Sequence, residues 1–224
     1  MDSGKSWRRP HLKTEFFLAF LCLIASPLPV WGQGDAVLSG DAVLDRFLAT
    51  VRSLSADFEQ ELWSADSDLL ETADGTLSLQ RPNRFAWHYR SPNEQLIVAD
   101  GEHLWIYDVE LEQATVTRLD DFGQASPAML LSGDSQVRER FDIEESFMLE
   151  GQDWIRLKPK QQGGDFSSVL LAFRDGLPTQ LEFVDGLAYT TRIVFSNIEV
   201  NPQLDAGDFL FAPPPGVDVI GDAG

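Results

Sequence analysis

The sequence is poor in the side chains that build disulfides, metal centres and nucleophilic catalysts. Its 224 residues include one cysteine, Cys22, and three histidines. If residues 1–32 are removed by processing, no cysteine remains, so the core must be stabilised by packing. His88 and His103 fall in separate predicted strands and have no cysteine to join them. This excludes a Cys-His pair and a zinc site of the common ligand set.

Positive charge is also scarce. The chain has 17 Lys and Arg residues against 36 Asp and Glu, a formal net charge of −19. Residues 1–32 hold four basic and two acidic residues, so their loss leaves 13 against 34 and a net charge of −21. Such a charge repels nucleic acid and anionic lipid surfaces, and we expect neither as a direct partner. The acidity fits solubility or life in high salt, and it also fits an acidic docking face.

The motifs of common enzyme classes are missing as well. The sequence has no G-x-S-x-G elbow, no phosphate loop and no dinucleotide fingerprint. Carboxylate pairs such as Asp120–Asp121 and Glu144–Glu145 could serve acid-base catalysis or bind a cation. Adjacent acids in an acidic protein are mostly solvated surface, however. We therefore predict a protein without catalytic activity, metal or cofactor, and a hydrolase remains the enzyme alternative.

A strongly apolar run occurs at the N-terminus. The run FFLAFLCLIA, residues 16–25, follows four basic residues and precedes small residues and prolines. It is too short to span a bilayer comfortably. We predict that residues 1–32 are a secretory signal peptide cleaved near Gly32 or Gly34, with an uncleaved anchor as the alternative. Residues 35–224 would then form one domain, and export of a cysteine-free body suggests a bacterial periplasm.

The spacing of apolar residues predicts one helix followed by a sheet. In residues 35–54 the apolar positions recur at helical spacing with charges opposite them. From residue 55 onward, short segments such as SADFEQEL, RFAWHY and HLWIYD alternate with a period of two, which is typical of strands. Asp-Gly pairs beginning at 74, 100, 175 and 185 predict tight hairpin turns. A mostly antiparallel meander follows, closing with FLFAPPPGVDV, and a parallel α/β sheet is disfavoured.

A polar stretch from 120 to 145 interrupts the strands and contains one short helix. In SPAMLLSGD, Ser126 can cap the helix, Pro127 suits its first position and Gly133 can end it. Residues 128–131 are apolar on all sides. A helix this short and apolar must be covered by apolar surroundings.

The strand RFAWHY carries an aromatic side chain at every second position. Phe85, Trp87 and Tyr89 therefore share one face, and HLWIYD adds further apolar residues nearby. A curved antiparallel sheet can collapse around these side chains or leave a concave apolar cavity beneath a helical cover. Periodicity alone favours the filled core.

Four segments of the sequence follow one another in a familiar order: RPNRFAWHY, SPNEQLIVADGEHLWIYDVELEQATVTRL, SPAMLL and FLFAPPPGVDV. Together they resemble the periplasmic outer-membrane lipoprotein carrier family, LolA, which has them in the same order, and the resemblance covers about residues 40 to 220. It implies a mainly β fold with an α lid, in which an unclosed antiparallel β-barrel, or half-barrel, is covered by short helices and encloses an apolar cavity.

The resemblance also implies a function. Family members are periplasmic chaperones that bind the acyl chains of outer-membrane lipoproteins, receive them from an inner-membrane ABC exporter and deliver them to an outer-membrane receptor. We expect the protein to act as a monomer. Arg81 would be a lid latch that donates hydrogen bonds to lid carbonyls, with a strand-end charge in water as the alternative. The residues that would contact acyl chains, or simply pack in a core, are Phe85, Trp87, Tyr89, Trp105, Met129, Leu130 and Leu131.

Two other functions are compatible with these features. An outer-membrane lipoprotein receptor of the same fold would need a lipidated N-terminal cysteine, and Cys22 lacks the small residues that precede such a cysteine. A non-transporting periplasmic sensor or scaffold would have a filled barrel and act through its acidic surface.

Overall fold

Twelve strands in the described part of the chain form one sheet. The structure is a computed structural model and describes residues 40–119, 127–132, 136–160 and 166–221. The expected signal peptide, Ser126 and Gly133 lie outside these ranges, and the signal peptide stays a prediction. The helices are α1 (Gly40–Thr50), α2 (Pro127–Ser132) and α3 (Gln136–Arg140). The strands are β1 (Ser53–Trp63), β2 (Leu69–Gln80), β3 (Arg84–Ser91), β4 (Gln95–Asp100), β5 (His103–Asp108), β6 (Gln113–Arg118), β7 (Phe141–Leu149), β8 (Gln152–Pro159), β9 (Phe166–Arg174), β10 (Leu177–Asp185), β11 (Thr190–Val200) and β12 (Asp218–Gly221).

The sheet is almost wholly antiparallel and is not closed into a barrel. Its strand order is β12-β6-β5-β4-β3-β2-β1-β11-β10-β9-β8-β7, so β12 and β7 are the two edges. Only the short β12 runs parallel to its neighbour, β6. The expected mainly β, unclosed fold with a few helices is confirmed. Within the described ranges, no helix combines the length and apolarity needed to cross a membrane.

One face of the sheet carries the hydrophobic core, and we call it the inner face. Because side chains alternate along a strand, β2, β3 and β5 direct Leu77, Phe85 and Leu104 to this face. Helix α1 packs there through Val43, Leu44 and Phe47, all buried. A fully buried side chain of this size contributes about 1.5 to 3 kcal/mol. The helices are therefore stabilised by packing against the inner face and not by their length.

Helix α1 ends earlier than the sequence predicts. It stops at Thr50, and Leu54, expected on its apolar face, lies in β1 opposite Leu79. Asn201 fixes this boundary because its Oδ1 accepts a hydrogen bond from the Arg52 N–H at 2.7 Å and its Nδ2 donates to the Thr50 carbonyl at 3.2 Å. The helix end is thus set by a residue about 150 positions away, which local periodicity does not contain.

Three of the four Asp-Gly pairs lie where a turn was predicted. The pairs beginning at 100, 175 and 185 fall between consecutive strands of the sheet. The prediction at Asp74–Gly75 is wrong, because this pair lies inside β2 at a shift of register against β3. A Cβ at position 75 would lie 2.0 Å from the His88 carbonyl oxygen and 2.7 Å from the Phe58 ring. Glycine is required here for the close approach of two strands.

Two segments differ from the predicted strand pattern. β7 lies partly in the stretch expected to interrupt the strands, and its register shifts between Ile143 and Glu145, which breaks the period of two. The closing segment FLFAPPPGVDV was expected as a strand, but only its last two residues belong to β12. Its prolines have no N–H to donate to a sheet ladder.

Candidate functional site

The aromatic residues of β3 lie on the inner face together. Phe85 and Trp87 are 0% and 2% exposed, and Tyr89 packs beside them. The Trp87 ring lies 5.0 Å from Phe58 and 6.3 Å from Phe195, measured between ring centroids. Phe58 and Phe195 were not among the expected site residues, although the alternation in SADFEQEL and RIVFSN contains the signal.

Tyr89 has a polar partner. Its hydroxyl donates a hydrogen bond to Gln60 Oε1 at 3.0 Å, and its ring lies 5.0 Å from Phe58. Burial, with a smaller contribution from the negative charge of Glu71, raises the pKa of Tyr89 to about 12. The phenol therefore stays neutral and bonded at physiological pH.

Two helices cover this face, and we call α1 and α2 the lid helices. α2 contributes Leu130 and Leu131, which are buried in the same core cluster as Phe47 of α1. The apolar surroundings expected for this short helix are therefore present. Met129 lies within α2, but its side chain is outside the part of the chain that the structure describes.

Arg81 joins the C-terminal ends of both lid helices. Its Nη1 donates to the carbonyl oxygens of Phe47, Leu48 and Val51 at 3.2, 2.9 and 3.0 Å. Its Nε and Nη2 donate to the Leu131 carbonyl at 3.3 and 2.7 Å. The guanidinium carbon also lies 4.7 Å from the centroid of the Phe47 ring, within range of a cation–π contact.

This arrangement follows from the chemistry of helix ends. The last four carbonyls of an α-helix lack an intrahelical donor and carry partial negative charge, so a cation with several forked donors suits them. The backbone on either side of this arginine is tied to the same elements. The Arg81 N–H donates to the Arg52 carbonyl at 2.8 Å, and the Asn83 N–H donates to the Ser132 carbonyl at 3.2 Å. One short segment after β2 thus holds both lid helices against the sheet.

Trp105 does not join the other expected site residues. It follows Leu104, which belongs to the core, so it points to the opposite, outer face. There its ring lies 5.4 Å from Phe211 of the C-terminal segment, and Tyr107 lies 5.3 Å from the same ring. Alternation in HLWIYD separates two faces but does not say which of them faces the lid.

Cavities bordered by the described residues include two with charged side chains in their lining. One of about 440 Å³ is lined by residues that include Asp57, Glu59 and Arg90. Another, of about 590 Å³, borders Arg81 and Arg84. On the inner face, lid side chains occupy the space against the aromatic residues. The apolar cavity implied by the resemblance therefore stays a prediction, for a state in which the lid helices have moved.

Comparison with known proteins identifies the family. The family model described as "Outer membrane lipoprotein carrier protein LolA" matches residues 49–212. A protein of Methylococcus capsulatus named outer-membrane lipoprotein carrier protein is 38% identical over 205 residues, covering 91% of this chain and 99% of that protein. A protein of the same name from Pseudomonas paraeruginosa is 40% identical over 178 residues, covering 79% and 85% of the two chains. Among solved structures, a LolA superfamily protein from Nitrosomonas europaea aligns with a TM-score of 0.46 at 12% identity, covering 78% and 98%. The chain belongs to the outer membrane lipoprotein carrier protein LolA family.

Proposed function

We propose that this protein is a periplasmic carrier of outer-membrane lipoproteins. It binds their acyl chains, receives them from an inner-membrane ABC exporter and delivers them to an outer-membrane receptor. Family membership and the names of the relatives support this function. The structural observation that carries it is a buried aromatic sheet face covered by two helices, whose C-terminal ends share a single arginine. On this proposal residues 1–32 are removed during export.

Acyl chains are bound on the inner face after the lid helices separate. Burying one methylene contributes about 0.8 kcal/mol, so a chain of about 14 methylenes contributes about 11 kcal/mol. Three such chains, added without cost, would exceed the strongest known non-covalent affinities. A carrier must also release its cargo. Lid closure over the empty face offsets part of this gain, because opening breaks contacts that the closed lid already makes.

Most of the expected site residues take a role in this proposal. The sheet side of the binding surface is formed by Phe85, Trp87 and Tyr89, and the lid side by Leu130 and Leu131. Met129 remains a candidate from the sequence. Trp105 is left out, because it packs against Phe211 on the outer face. Arg81 is the latch, since its donors reach carbonyls of both lid helices.

A release assay tests this function. Inner-membrane vesicles that contain the exporter and a triacylated lipoprotein are incubated with the purified protein, with and without ATP. We expect the lipoprotein to enter the soluble fraction in complex with the protein only when ATP is present. The matched control is a protein of similar size that a transmembrane helix anchors in the same vesicles and that carries no acyl chains. A lack of ATP-dependent release, or release that does not depend on the acyl chains, would contradict the proposal and favour a sensor or scaffold.

A further inference from the structure

Three buried polar side-chain atoms in the described residues have no hydrogen-bond partner. They are Trp87 Nε1, Ser132 Oγ and Trp154 Nε1. Native proteins satisfy the large majority of buried polar atoms, since a buried donor without an acceptor costs free energy. In a protein whose lid must open to bind cargo, a buried polar atom without a partner is therefore a candidate for hydrogen bonding to the ligand.

Two of these atoms lie on the elements that form the lid contact. Trp87 is on the inner face of β3 and Ser132 is the last residue of α2, next to Leu131, whose carbonyl Arg81 holds. Trp154 differs from both. It precedes the core residue Ile155 in β8, so it points to the outer face, where it stacks on Phe147 at 6.3 Å.

The chemistry of an indole restricts what Trp87 can bind. Its Nε1–H is a donor only, so any partner must supply an acceptor. Its neighbours on the inner face give it no acceptor, because Phe58 and Phe195 are apolar rings and the indole makes no hydrogen bond to the Tyr89 hydroxyl. The acceptors that an acylated cargo brings with it are the carbonyl oxygens through which its acyl chains are attached. In an apolar site such a carbonyl needs a donor as much as the indole needs an acceptor.

We propose that Trp87 Nε1 donates a hydrogen bond to an acyl-ester carbonyl of the bound lipid anchor. This inference rests on the proposed carrier function and adds a polar subsite to an otherwise apolar binding surface. The hydrogen bond fixes how deep the chain enters, because it holds the ester at the level of Trp87 and leaves the hydrocarbon for the aromatic neighbours. Trp87 thus distinguishes an acylated ligand from a plain hydrocarbon of equal length.

An ester and an ether of equal chain length test this subsite. The probes are monomyristoylglycerol and the matching tetradecyl glycerol ether, each used below its micellar concentration and followed by calorimetry. The ether keeps the chain and the glycerol but lacks the carbonyl. We expect the wild-type protein to bind the ester about fivefold more tightly, the ratio typical of one net hydrogen bond.

Two substitutions locate the effect. Trp87→Phe keeps an aromatic ring and removes the donor, so it should abolish the preference for the ester. Trp154→Phe removes the other orphaned indole donor, on the outer face, and should leave the preference unchanged. In wild-type ¹H–¹⁵N spectra, the indole signal that Trp87→Phe removes should shift on adding ester more than on adding ether, a readout that does not depend on the stability of either variant.

The outcomes separate this inference from the proposed function. Equal binding of ester and ether by the wild type, with no selective shift of the Trp87 indole signal, overturns the inference and leaves the carrier function standing. Binding of neither lipid, together with failure of the release assay, overturns both. An ester preference that persists in Trp87→Phe assigns the contact to another residue and also overturns the inference.

Discussion

Replacing Arg81 with leucine should open the lid. The substitution removes five donor contacts that join four carbonyls at the C-terminal ends of α1 and α2 to the segment after β2. A buried carbonyl left without a donor costs about 1 to 3 kcal/mol. Four carbonyls are affected, but water can reach part of this half-buried site. We therefore expect the closed state to lose about 3 kcal/mol relative to the open state, a shift of about 150-fold in their ratio.

Two assays follow this shift. An environment-sensitive apolar dye should bind Arg81→Leu more strongly than the wild type, because the inner face becomes accessible. Lipoprotein should load onto the variant but pass to receptor-containing vesicles more slowly, since lid closure no longer helps to displace the cargo. Arg81→Lys should fall between the two, because an ammonium keeps the charge but lacks the planar fork.

Arg84 provides the matched control for this experiment. It is an exposed arginine three residues away, at the start of β3, and borders the same cavity. Arg84→Leu removes the same charge without touching the lid carbonyls. If Arg81→Leu binds dye and hands over cargo like the wild type, or if both substitutions have equal effects, Arg81 is not the latch.

Three further results are expected. Gly75→Ala should lower the free energy of unfolding in urea denaturation by about 3 kcal/mol, because the added Cβ meets the backbone of a neighbouring strand. In the control Gly186→Ala the added Cβ has nothing within 4 Å, so the free energy of unfolding should stay within about 0.5 kcal/mol of the wild-type value. Equal losses in the two variants would contradict the close approach of strands at Gly75. The pKa of Tyr89 is about 12 in the folded protein and 10.0 for an ordinary tyrosine, so the stability contributed by its neutral form is complete below pH 10.0 and is lost as the pH rises toward 12. Tyr89→Phe should therefore weaken the loss of stability at alkaline pH in denaturation curves. An unchanged alkaline loss would assign it to another residue. In a dye-displacement assay, Trp105→Leu should leave the affinity for lipid unchanged, while Trp87→Leu should weaken it several-fold. A loss of affinity in Trp105→Leu but not in Trp87→Leu would place the binding surface on the outer face.

The local sequence pattern was sufficient to predict most of the strands and the aromatic face. The alternation in RFAWHY places Phe85, Trp87 and Tyr89 on one side of β3, and the structure has them there, because a period of two is a property of the strand itself. The apolar run in α2 likewise predicted burial, and Leu130 and Leu131 are buried.

Local pattern failed where a distant residue decides the outcome. The end of α1 depends on Asn201, and the turn expected at Gly75 is replaced by a strand because β1 and β3 approach it closely. The face taken by Trp105 depends on Phe211, about 100 positions further along the chain. For Arg81, the resemblance supplied the latch role, but the individual carbonyls of α1 and α2 that it binds are set by tertiary packing.

The proposed transport of acylated lipoproteins can be tested by one measurement on the protein as the cell produces it. The protein is purified from the periplasm of lipoprotein-producing cells and analysed by native mass spectrometry without detergent. We expect a complex of one protein with one triacylated lipoprotein, enriched in the Arg81→Leu variant. If neither the wild type nor the variant ever carries lipoprotein, the proposed carrier function is contradicted. Phe85, Trp87 and Tyr89 are then ordinary core residues.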